Sequence, residues 1–325
     1  MKKITILTDP IPYGKIYLKE FLKIFIRYFR DILFNPKQNY NKSKFRGHFA
    51  VTRSLVTGFM KSKYEFNYNP KKISKLYENV IVLAGVKTLK QCIELKEMGL
   101  IKNLYAGPNI VIFSKDHNSI IANTQIDYVI TPSKWVSEMY IKDCPILTNK
   151  CIEWPAGIDI DYWSPDLKIK KSQIIIYDKR IETSKVEIKE YINIIESYGF
   201  SVKILKYGTY THKDYFDELN KTQLMICFSN GSESQGIAWN EAWSMNVPTL
   251  ILESNSNVYS GKFYACSSAP YLNSKNGSFF YDIDSFKNEF NKWVNKKNIY
   301  EPRKWSIFNA SDEISAKCLY HKLMQ

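Results

Sequence analysis

Two glutamates in the second half of the chain flank a glycine at a spacing that could bind a diphosphate and a diol. The stretch SESQGIAWNEAWSMNVPTLIL carries Glu233 before Gly236 and Glu241 after it. Backbone amides at a helix start bind anions such as a diphosphate, and a glycine lets the backbone approach closely. A carboxylate inside the helix can accept hydrogen bonds from both hydroxyls of a ribose, which is the role we expect for Glu241. The amides expected to contact the phosphates are those of Ser234, Gln235, Gly236 and Ile237.

The elements around this loop predict two parallel sheets. Short apolar runs alternate with amphipathic segments, which is typical of βαβ units. The predicted strands are ITIL, VIVL, IVIF and YVI in the first half, and QIIIY, VKIL, LMICF and PTLIL in the second. A strand at LMICF and a helix from about Ile237 place the glutamates at the carboxyl end of a strand, where parallel-sheet domains bind ligands. We expect Rossmann-like domains at 1–160 and 161–302, with 303–325 as a C-terminal helix packing on the first domain.

An amphipathic segment from Tyr17 to Phe34 follows the first predicted strand. Its apolar stripe predicts a helix packed on the first sheet. An interfacial helix on anionic lipid is the alternative, because the opposite face carries Lys23, Arg27 and Arg30.

The composition of the 325-residue chain favours an anionic partner, because its net charge is +14 and its pI is near 9.2. The lysines are scattered, without an arginine-rich block or zinc-finger spacing, which argues against specific nucleic-acid binding. Six cysteines without a Cys-x-x-Cys pair predict buried, reduced thiols of a cytosolic protein. The opening MKKITILTDP is too polar for a secretion signal, and no apolar run is long enough to span a bilayer, so any membrane contact is expected to be peripheral.

Three stretches resemble one enzyme group. ESQGIAWNE with the following AWSMNVPTLI is similar to the E-x(7)-E signature of GT-B glycosyltransferases, especially the retaining family four. WPAGIDIDYWSP (154–165) resembles the interdomain segment of that family, and DYVITPSKWV (127–136) resembles a first-domain segment. The matches cover residues 127–252. The resemblance implies a GT-B fold, with two Rossmann-like domains facing across a cleft and a C-terminal helix crossing back to the first domain.

The resemblance also gives roles to two basic residues after QIIIY. The segment RIETSK places Arg180 and Lys185 five positions apart, as in family members where both are directed at the donor diphosphate. Two cations beside two phosphates neutralise a leaving group, so the resemblance implies transfer without a required metal. Ser234 and Gln235 stand where the family usually has Gly-Phe, so we expect a differently shaped sugar pocket.

Four more residues are candidates. The family's glycine-rich acceptor loop is missing in its common form, and PIPYG with Gly14 and RGH with His48 stand in its place; a capping or structural role is the alternative for His48. His117 lies where the family often places a histidine beside the donor sugar, and a surface-loop histidine is the alternative. Tyr207 follows VKIL and is expected either to stack on a nucleobase or to cover the sheet edge.

The implied reaction is transfer of a sugar from a UDP- or GDP-linked donor, with retention at the anomeric carbon and no permanently bound cofactor. Glu233 would face the donor sugar and steady its oxocarbenium-like charge, and the departing phosphate would accept the proton of the acceptor. We expect a glycan or lipid-linked acceptor in bacterial surface polysaccharide or glycoconjugate synthesis, at the inner face of the membrane.

Two alternatives remain open. A GT-B-fold sugar-nucleotide epimerase would need several acids and a histidine across the cleft, and a phosphorylase of the same fold would need a pyridoxal lysine. A non-catalytic basic module for nucleic acid or anionic membrane would bind with strong salt dependence and would not discriminate among nucleotides.

Overall fold

The computed structural model describes residues 2–11, 48–180, 187–229, 231–259, 261–296 and 299–324. The predicted Tyr17–Phe34 helix therefore lies outside the described residues. The chain divides into two compact units. The first comprises Met1–Pro132, Ser137–Trp154 and Ala316–Gln325, and the second comprises Ser133–Val136 and Pro155–Ser315.

The first unit contains a six-stranded parallel sheet. Its strands are β1 (Ile4–Leu7), β2 (Phe66–Tyr68), β3 (Asn79–Ala84), β4 (Asn103–Asn109), β5 (Tyr128–Thr131) and β6 (Cys151–Glu153), in the spatial order β2-β1-β3-β4-β5-β6. Its helices are α1 (His48–Lys61), α2 (Val86–Glu97) and most of α3 (Lys134–Asp143), with short helical turns at Ile73–Lys75, Asp116–Ser119, Ile120–Ala122 and Pro145–Leu147. The central strands β1 and β3 are buried along almost their whole length, as expected when helices cover both faces of a parallel sheet.

Strand β4 begins earlier than predicted. The predicted strand IVIF is wrong, because the strand is Asn103–Asn109 and Ile112 is exposed. Glycine and proline are disfavoured inside strands, so the segment LYAGPN was not predicted as a strand from the sequence. Gly107 fits because the neighbouring strand β5 runs so close that a Cβ would lie 2.1 Å from the Ile130 carbonyl oxygen.

The second unit contains a five-stranded parallel sheet and a small hairpin. Its parallel strands are β7 (Gln173–Asp178), β8 (Ser201–Lys206), β9 (Thr222–Phe228), β10 (Thr249–Leu252) and β13 (Gly277–Phe280), in the order β13-β10-β9-β7-β8. The antiparallel hairpin is β11 (Ser256–Tyr259) with β12 (Lys262–Ala265). Its helices are α4 (Ile188–Ser197), α5 (His212–Asn220), α6 (Ile237–Ser244), α7 (Ile283–Asn295) and α8 (Pro302–Asn309). The predicted α/β class with two Rossmann-like domains is confirmed.

The two faces of the second sheet carry separate apolar cores, because side chains alternate along each strand. On β7, Ile175 and Tyr177 pack in a cluster with Trp239 of α6. Ile174 and Ile176 pack on the opposite side, in a cluster built with α4 and α7. We call these sides the α6 face and the α7 face.

The end of the chain, predicted as one helix, forms α8 and a further helix, α9 (Asp312–Met324). Helices α8 and α9 are separated at Ala310 and Ser311, where Ile158 pairs with this segment. The Ile158 amide donates to the Ala310 carbonyl at 2.7 Å, and the Ile158 carbonyl accepts from the Asp312 amide at 3.1 Å. The Ser315 hydroxyl donates to the Pro155 carbonyl at 2.6 Å.

From Ala316 onward, α9 belongs to the first unit. There Tyr320 stacks on Tyr64 with ring centroids 4.1 Å apart, and its hydroxyl donates to the Lys2 carbonyl. None of the helices in the described ranges is both long enough and apolar enough to cross a bilayer.

The cysteines are all free thiols, but they are not uniformly buried as predicted. Cys92, Cys227 and Cys266 are buried, whereas Cys318 is exposed. Cys318 lies on the exposed face of α9, and the sequence pattern did not indicate which face of this helix is exposed.

Candidate functional site

The candidate residues of the second unit gather at one edge of its sheet. Strands β8, β7 and β9 are neighbours and run parallel, so their carboxyl ends lie side by side. Tyr207 follows β8, Lys179 and Arg180 follow β7, and the loop with Glu233 follows β9. This edge is where doubly wound sheets bind ligands.

Helix α6 starts at a glycine that no other residue could replace without strain. Gly236 has left-handed backbone angles, φ 67° and ψ 52°, and a Cβ there would lie 2.2 Å from Trp239 Cδ1. The Trp239 indole is fixed in turn, because its Nε1 donates to the Ser268 carbonyl at 3.0 Å. The turn therefore aims the first amides of α6, which have no partner inside the helix, at the carboxyl edge of the sheet.

Gln235 and Ile237 are held in this helix start by packing and hydrogen bonds. The Gln235 side chain is buried and accepts from the Ala156 amide at 3.2 Å, and the Gln235 carbonyl accepts from the Asn240 side chain. Ile237 packs against the apolar core of the α6 face. Ser234 is exposed in the same loop.

Glu233 is fixed through both backbone and side chain. Its amide donates to the Ser267 carbonyl at 2.9 Å, and its carbonyl accepts from Trp135 Nε1 at 3.0 Å. Its carboxylate pairs with Lys179, with 2.5 Å between Oε1 and Nζ, and its side chain is only 12% exposed. Trp135 belongs to the second unit although it lies at the start of α3.

Lys179 is a residue of this site that the sequence analysis missed. Besides pairing with Glu233, its ammonium lies 5.1 Å from the ring centroid of Tyr207, at cation–π distance. Tyr207 itself is half exposed. The one available signal was the position of Lys179, directly at the end of a buried parallel strand.

Glu241 is buried in the second turn of α6, with 6% of its surface exposed. Three tyrosines of the α6 face surround this region. Burial raises the pKa of Tyr162 and Tyr177, and the negative charge of Glu241 adds to the rise. The pKa of Tyr215 is raised by burial, by Tyr177 and by Glu241. These hydroxyls therefore stay protonated, and that of Tyr215 donates to the Ala238 carbonyl at 2.7 Å.

Arg180 lies on the other side of the strand end. Its Nε donates to Asp178 Oδ1 at 2.8 Å and its Nη2 donates to Asp178 Oδ2 at 3.1 Å, a bidentate pair. Burial alone would raise the pKa of Asp178, but the hydrogen bonds from Arg180 outweigh it and lower that pKa. The guanidinium lies 5.5 Å from the ring centroid of Phe228, which belongs to the core of the α7 face.

The segment after β10 supports the loop that carries Glu233. Asn257 Nδ2 of the β11–β12 hairpin donates to the Ser232 hydroxyl at 3.1 Å, and Cys266 Sγ lies 3.3 Å from the Gly231 carbonyl. Ser268 Oγ accepts from the Ser254 amide at 3.0 Å, which closes the base of the hairpin. The hairpin is a second supporting element that the sequence analysis missed.

Four predicted residues are not among those that the structure describes at this edge. Lys185 and Gly14 lie outside the described residues, and so does the side chain of His48, whose backbone begins α1. His117 is exposed in the first unit, in a left-handed turn with φ 52° and ψ 45°. The roles expected for these residues stay predictions.

Comparison with known proteins gives structural matches only: no protein-family model and no curated protein sequence matches the chain. Anabaena HepE, solved in complex with UDP and glucose, is 14% identical with a TM-score of 0.53, and the match covers 100% of both chains. The lipopolysaccharide outer core galactosyltransferase WaaB is 12% identical with a TM-score of 0.57 over 99% of both chains. A glycosyltransferase from Rickettsia africae is 10% identical with a TM-score of 0.55, over 100% of this chain and 99% of the other. The likeness spans the whole chain, and the fold is that of the GT-B glycosyltransferases, with two Rossmann-like domains.

Proposed function

We propose that this protein is a glycosyltransferase that moves a sugar from a nucleoside-diphosphate donor to an acceptor hydroxyl. One observation carries the proposal. Glu233, the glycine-started helix α6 and Glu241 are assembled at the carboxyl edge of a parallel sheet, and Lys179 places a positive charge beside them. A helix start and a cation suit a diphosphate, and a carboxylate further along suits a ribose.

The roles follow from this arrangement. The amides from Ser234 to Ile237 would hold the phosphate oxygens, and Glu241 would accept hydrogen bonds from the ribose. Glu233 would face the donor sugar and stabilise positive charge at its anomeric carbon. The resemblance assigns Arg180 and Lys185 to the diphosphate as well, but Arg180 could contact a phosphate only by giving up its pair with Asp178.

The chemistry that we propose is a retaining transfer without a required metal. The departing diphosphate carries the negative charge that develops, and the helix dipole and nearby cations can stabilise it. Its oxygen would also accept the proton of the acceptor. Retention and membership of family four rest on the resemblance around Glu233 and Glu241.

A UDP-hexose is the donor that the comparisons favour. HepE has been solved with UDP and with UDP-glucose, and WaaB is a galactosyltransferase. Tyr207 could stack on the base, because its ring is half exposed at the sheet edge. GDP-sugars stay the alternative donors.

For the acceptor we propose a glycan or a lipid-linked sugar of bacterial surface polysaccharide or glycoconjugate synthesis. WaaB acts on the lipopolysaccharide outer core, which supports this class. The net charge of +14 would suit a protein working in the cytoplasm against an anionic membrane surface.

A ligand panel at fixed ionic strength tests the function. The melting temperature is measured with UDP, GDP, ADP, CMP and their common sugars, and we expect saturable stabilisation by one nucleoside diphosphate and its sugar. Stabilisation should persist at higher salt. Binding to nucleic acid or anionic vesicles that collapses with salt, without any nucleotide preference, would instead support the basic binding module. Conversion of a sugar nucleotide to its epimer without an acceptor would identify an epimerase.

A further inference from the structure

We propose that Lys179, rather than Arg180, is the cation that meets the donor diphosphate on the α6 face, and that it orients Glu233 towards the donor sugar. The inference rests on the proposed function, because it adds a residue to the same site. Three observations support it: the face on which Lys179 lies, its partners, and the different surroundings of Arg180.

The position of Lys179 follows from the sheet. Its amide donates to the Phe228 carbonyl at 2.8 Å, so the pairing of β7 with β9 continues one residue beyond the strand. Alternation then places Lys179 on the same side as Tyr177, which is the α6 face. Asp178 and Arg180 take the opposite side, together with Ile176.

The partners of Lys179 come from two neighbouring connections. Glu233 lies in the loop between β9 and α6, and Tyr207 follows β8, where its amide donates to the Asp178 carbonyl at 2.8 Å. Tyr207 lies two residues beyond Leu205 and therefore on the same side of the sheet, and Leu205 is a member of the α6-face core. Lys179 therefore lies between the residue expected to face the donor sugar and a ring expected to meet the base.

The chemistry of the ammonium suits a second, anionic partner. A lysine has three N–H donors, so Lys179 can keep its contact with Glu233 and also donate to a phosphate oxygen. Its side chain is 30% exposed, which leaves it accessible to a ligand. A diphosphate beside Lys179 would add a second anion to its pair with Glu233.

Arg180 is engaged on the other face. Both oxygens of Asp178 accept from its guanidinium, which lies over Phe228. Only 14% of its side chain is exposed. To reach a phosphate near Glu233 it would have to leave this pair and cross the strand end, whereas Lys179 is already there.

The test compares a diphosphate with its nucleoside. Binding of UDP, GDP, uridine and guanosine is measured by calorimetry on the wild type and on Lys179→Met. We expect the variant to lose about tenfold or more in affinity for the diphosphate and to keep the affinity for the nucleoside, because one charge-assisted hydrogen bond is removed. Lys179→Arg should restore most of the loss.

The matched control is Lys292→Met. Lys292 forms an equally short ion pair, 2.5 Å from Nζ to Glu289 Oε1, but in the last turn of α7. Helix α7 starts after the carboxyl end of β13 and packs on the α7 face, so its last turn lies away from that edge. This control should bind like the wild type. Should Lys179→Met fold poorly, Lys179→Gln keeps a hydrogen-bond donor towards Glu233 and should show the same selective loss.

The outcomes separate the two proposals. A wild type that prefers the diphosphate, with Lys179→Met and Lys179→Gln binding it equally well, would overturn the role of Lys179 and leave the proposed function standing. A wild type that binds neither diphosphate better than its nucleoside would overturn both.

Discussion

Glu233 and Glu241 lie in different surroundings, and this difference separates their expected effects. The Glu233 carboxylate is held by Lys179 at the loop, whereas Glu241 is buried inside α6 beside Tyr162 and Tyr177. If Glu241 binds the ribose, it acts equally in the ground and transition states. If Glu233 stabilises charge at the anomeric carbon, it acts mainly in the transition state.

At this scale we predict a split between binding and rate. Glu241→Ala should weaken the binding of the donor nucleotide by about tenfold to a hundredfold, the usual worth of hydrogen bonds to a charged group. Glu233→Ala should mainly lower kcat while the affinity for the nucleotide changes little. Both are measured by calorimetry and steady-state kinetics with the donor identified in the ligand panel.

Isosteric variants are the controls for this pair. Glu241→Gln and Glu233→Gln keep the side-chain volume, so they separate the loss of charge from a packing defect. If neither binding nor rate changes in the alanine variants, the roles assigned to the two carboxylates are wrong.

At the scale of elements, the start of α6 depends on one glycine. Gly236→Ala combines a left-handed φ with a Cβ only 2.2 Å from Trp239 Cδ1. The backbone strain alone costs about 1–2 kcal/mol. We expect a larger loss, with a lower melting temperature and weaker binding of the diphosphate, because Trp239 and the helix start must both shift.

Gly199→Ala is the control for this change. Gly199 has a similar left-handed φ of 80°, but a Cβ there meets nothing within 4 Å. The Gly199→Ala variant should lose only the stability that the backbone strain costs, and it should bind the donor like the wild type. Equal losses in the two variants would argue against a special fit between Gly236 and Trp239.

The strand, loop and helix that carry the glutamates could be read from the sequence, because LMICF is continuously apolar and Gly236 marks the turn. The β11–β12 hairpin could not be read in this way. Its residues Val258 and Phe263 pair across the two strands but stay exposed, whereas Tyr264 is buried, so the apolar residues do not mark one buried face. The hairpin is held by hydrogen bonds to distant residues such as Ser232.

Lys179 escaped prediction for a different reason. The RIETSK spacing favoured Arg180. However, the sheet face on which Lys179 and Arg180 lie depends on where β7 ends and on whether its pairing with β9 continues beyond that point. A shift of one residue exchanges the two sides of a strand. The sequence predicted that a basic residue would follow the strand, but not which residue lies on the α6 face.

On the scale of the whole molecule, the segment that leaves the first unit at Trp154 is anchored by Arg303 of α8. Its guanidinium donates to the carbonyls of Trp163 and Ser244, at 3.0 and 2.6 Å, and to the Ser164 hydroxyl at 3.0 Å. Arg303 thereby ties this segment to the end of α6. Burial lowers the pKa of Arg303, but the group stays protonated.

We predict that Arg303→Ala lowers the free energy of unfolding by about 2–3 kcal/mol, because it leaves several carbonyls without a charged donor. Arg303→Lys should recover only part of this, since an ammonium lacks the planar fork. Lys304→Ala is the control, because Lys304 forms an exposed pair with Glu301 and should change stability by about 0.5 kcal/mol or less. Denaturant unfolding measures all three, and an Arg303→Ala variant as stable as the Lys304→Ala variant would contradict the anchoring role.

Pro155 and Ser315 lie side by side, joined by the 2.6 Å hydrogen bond between hydroxyl and carbonyl. The chain therefore enters and leaves nearly all of the second unit, Pro155–Ser315, at one place, as in a domain inserted into another. A polypeptide excised at these two positions would have adjacent ends. Those ends could be tied by a short linker, and new termini could then be opened at a surface loop without stretching the sheet that holds Glu233 and Lys179.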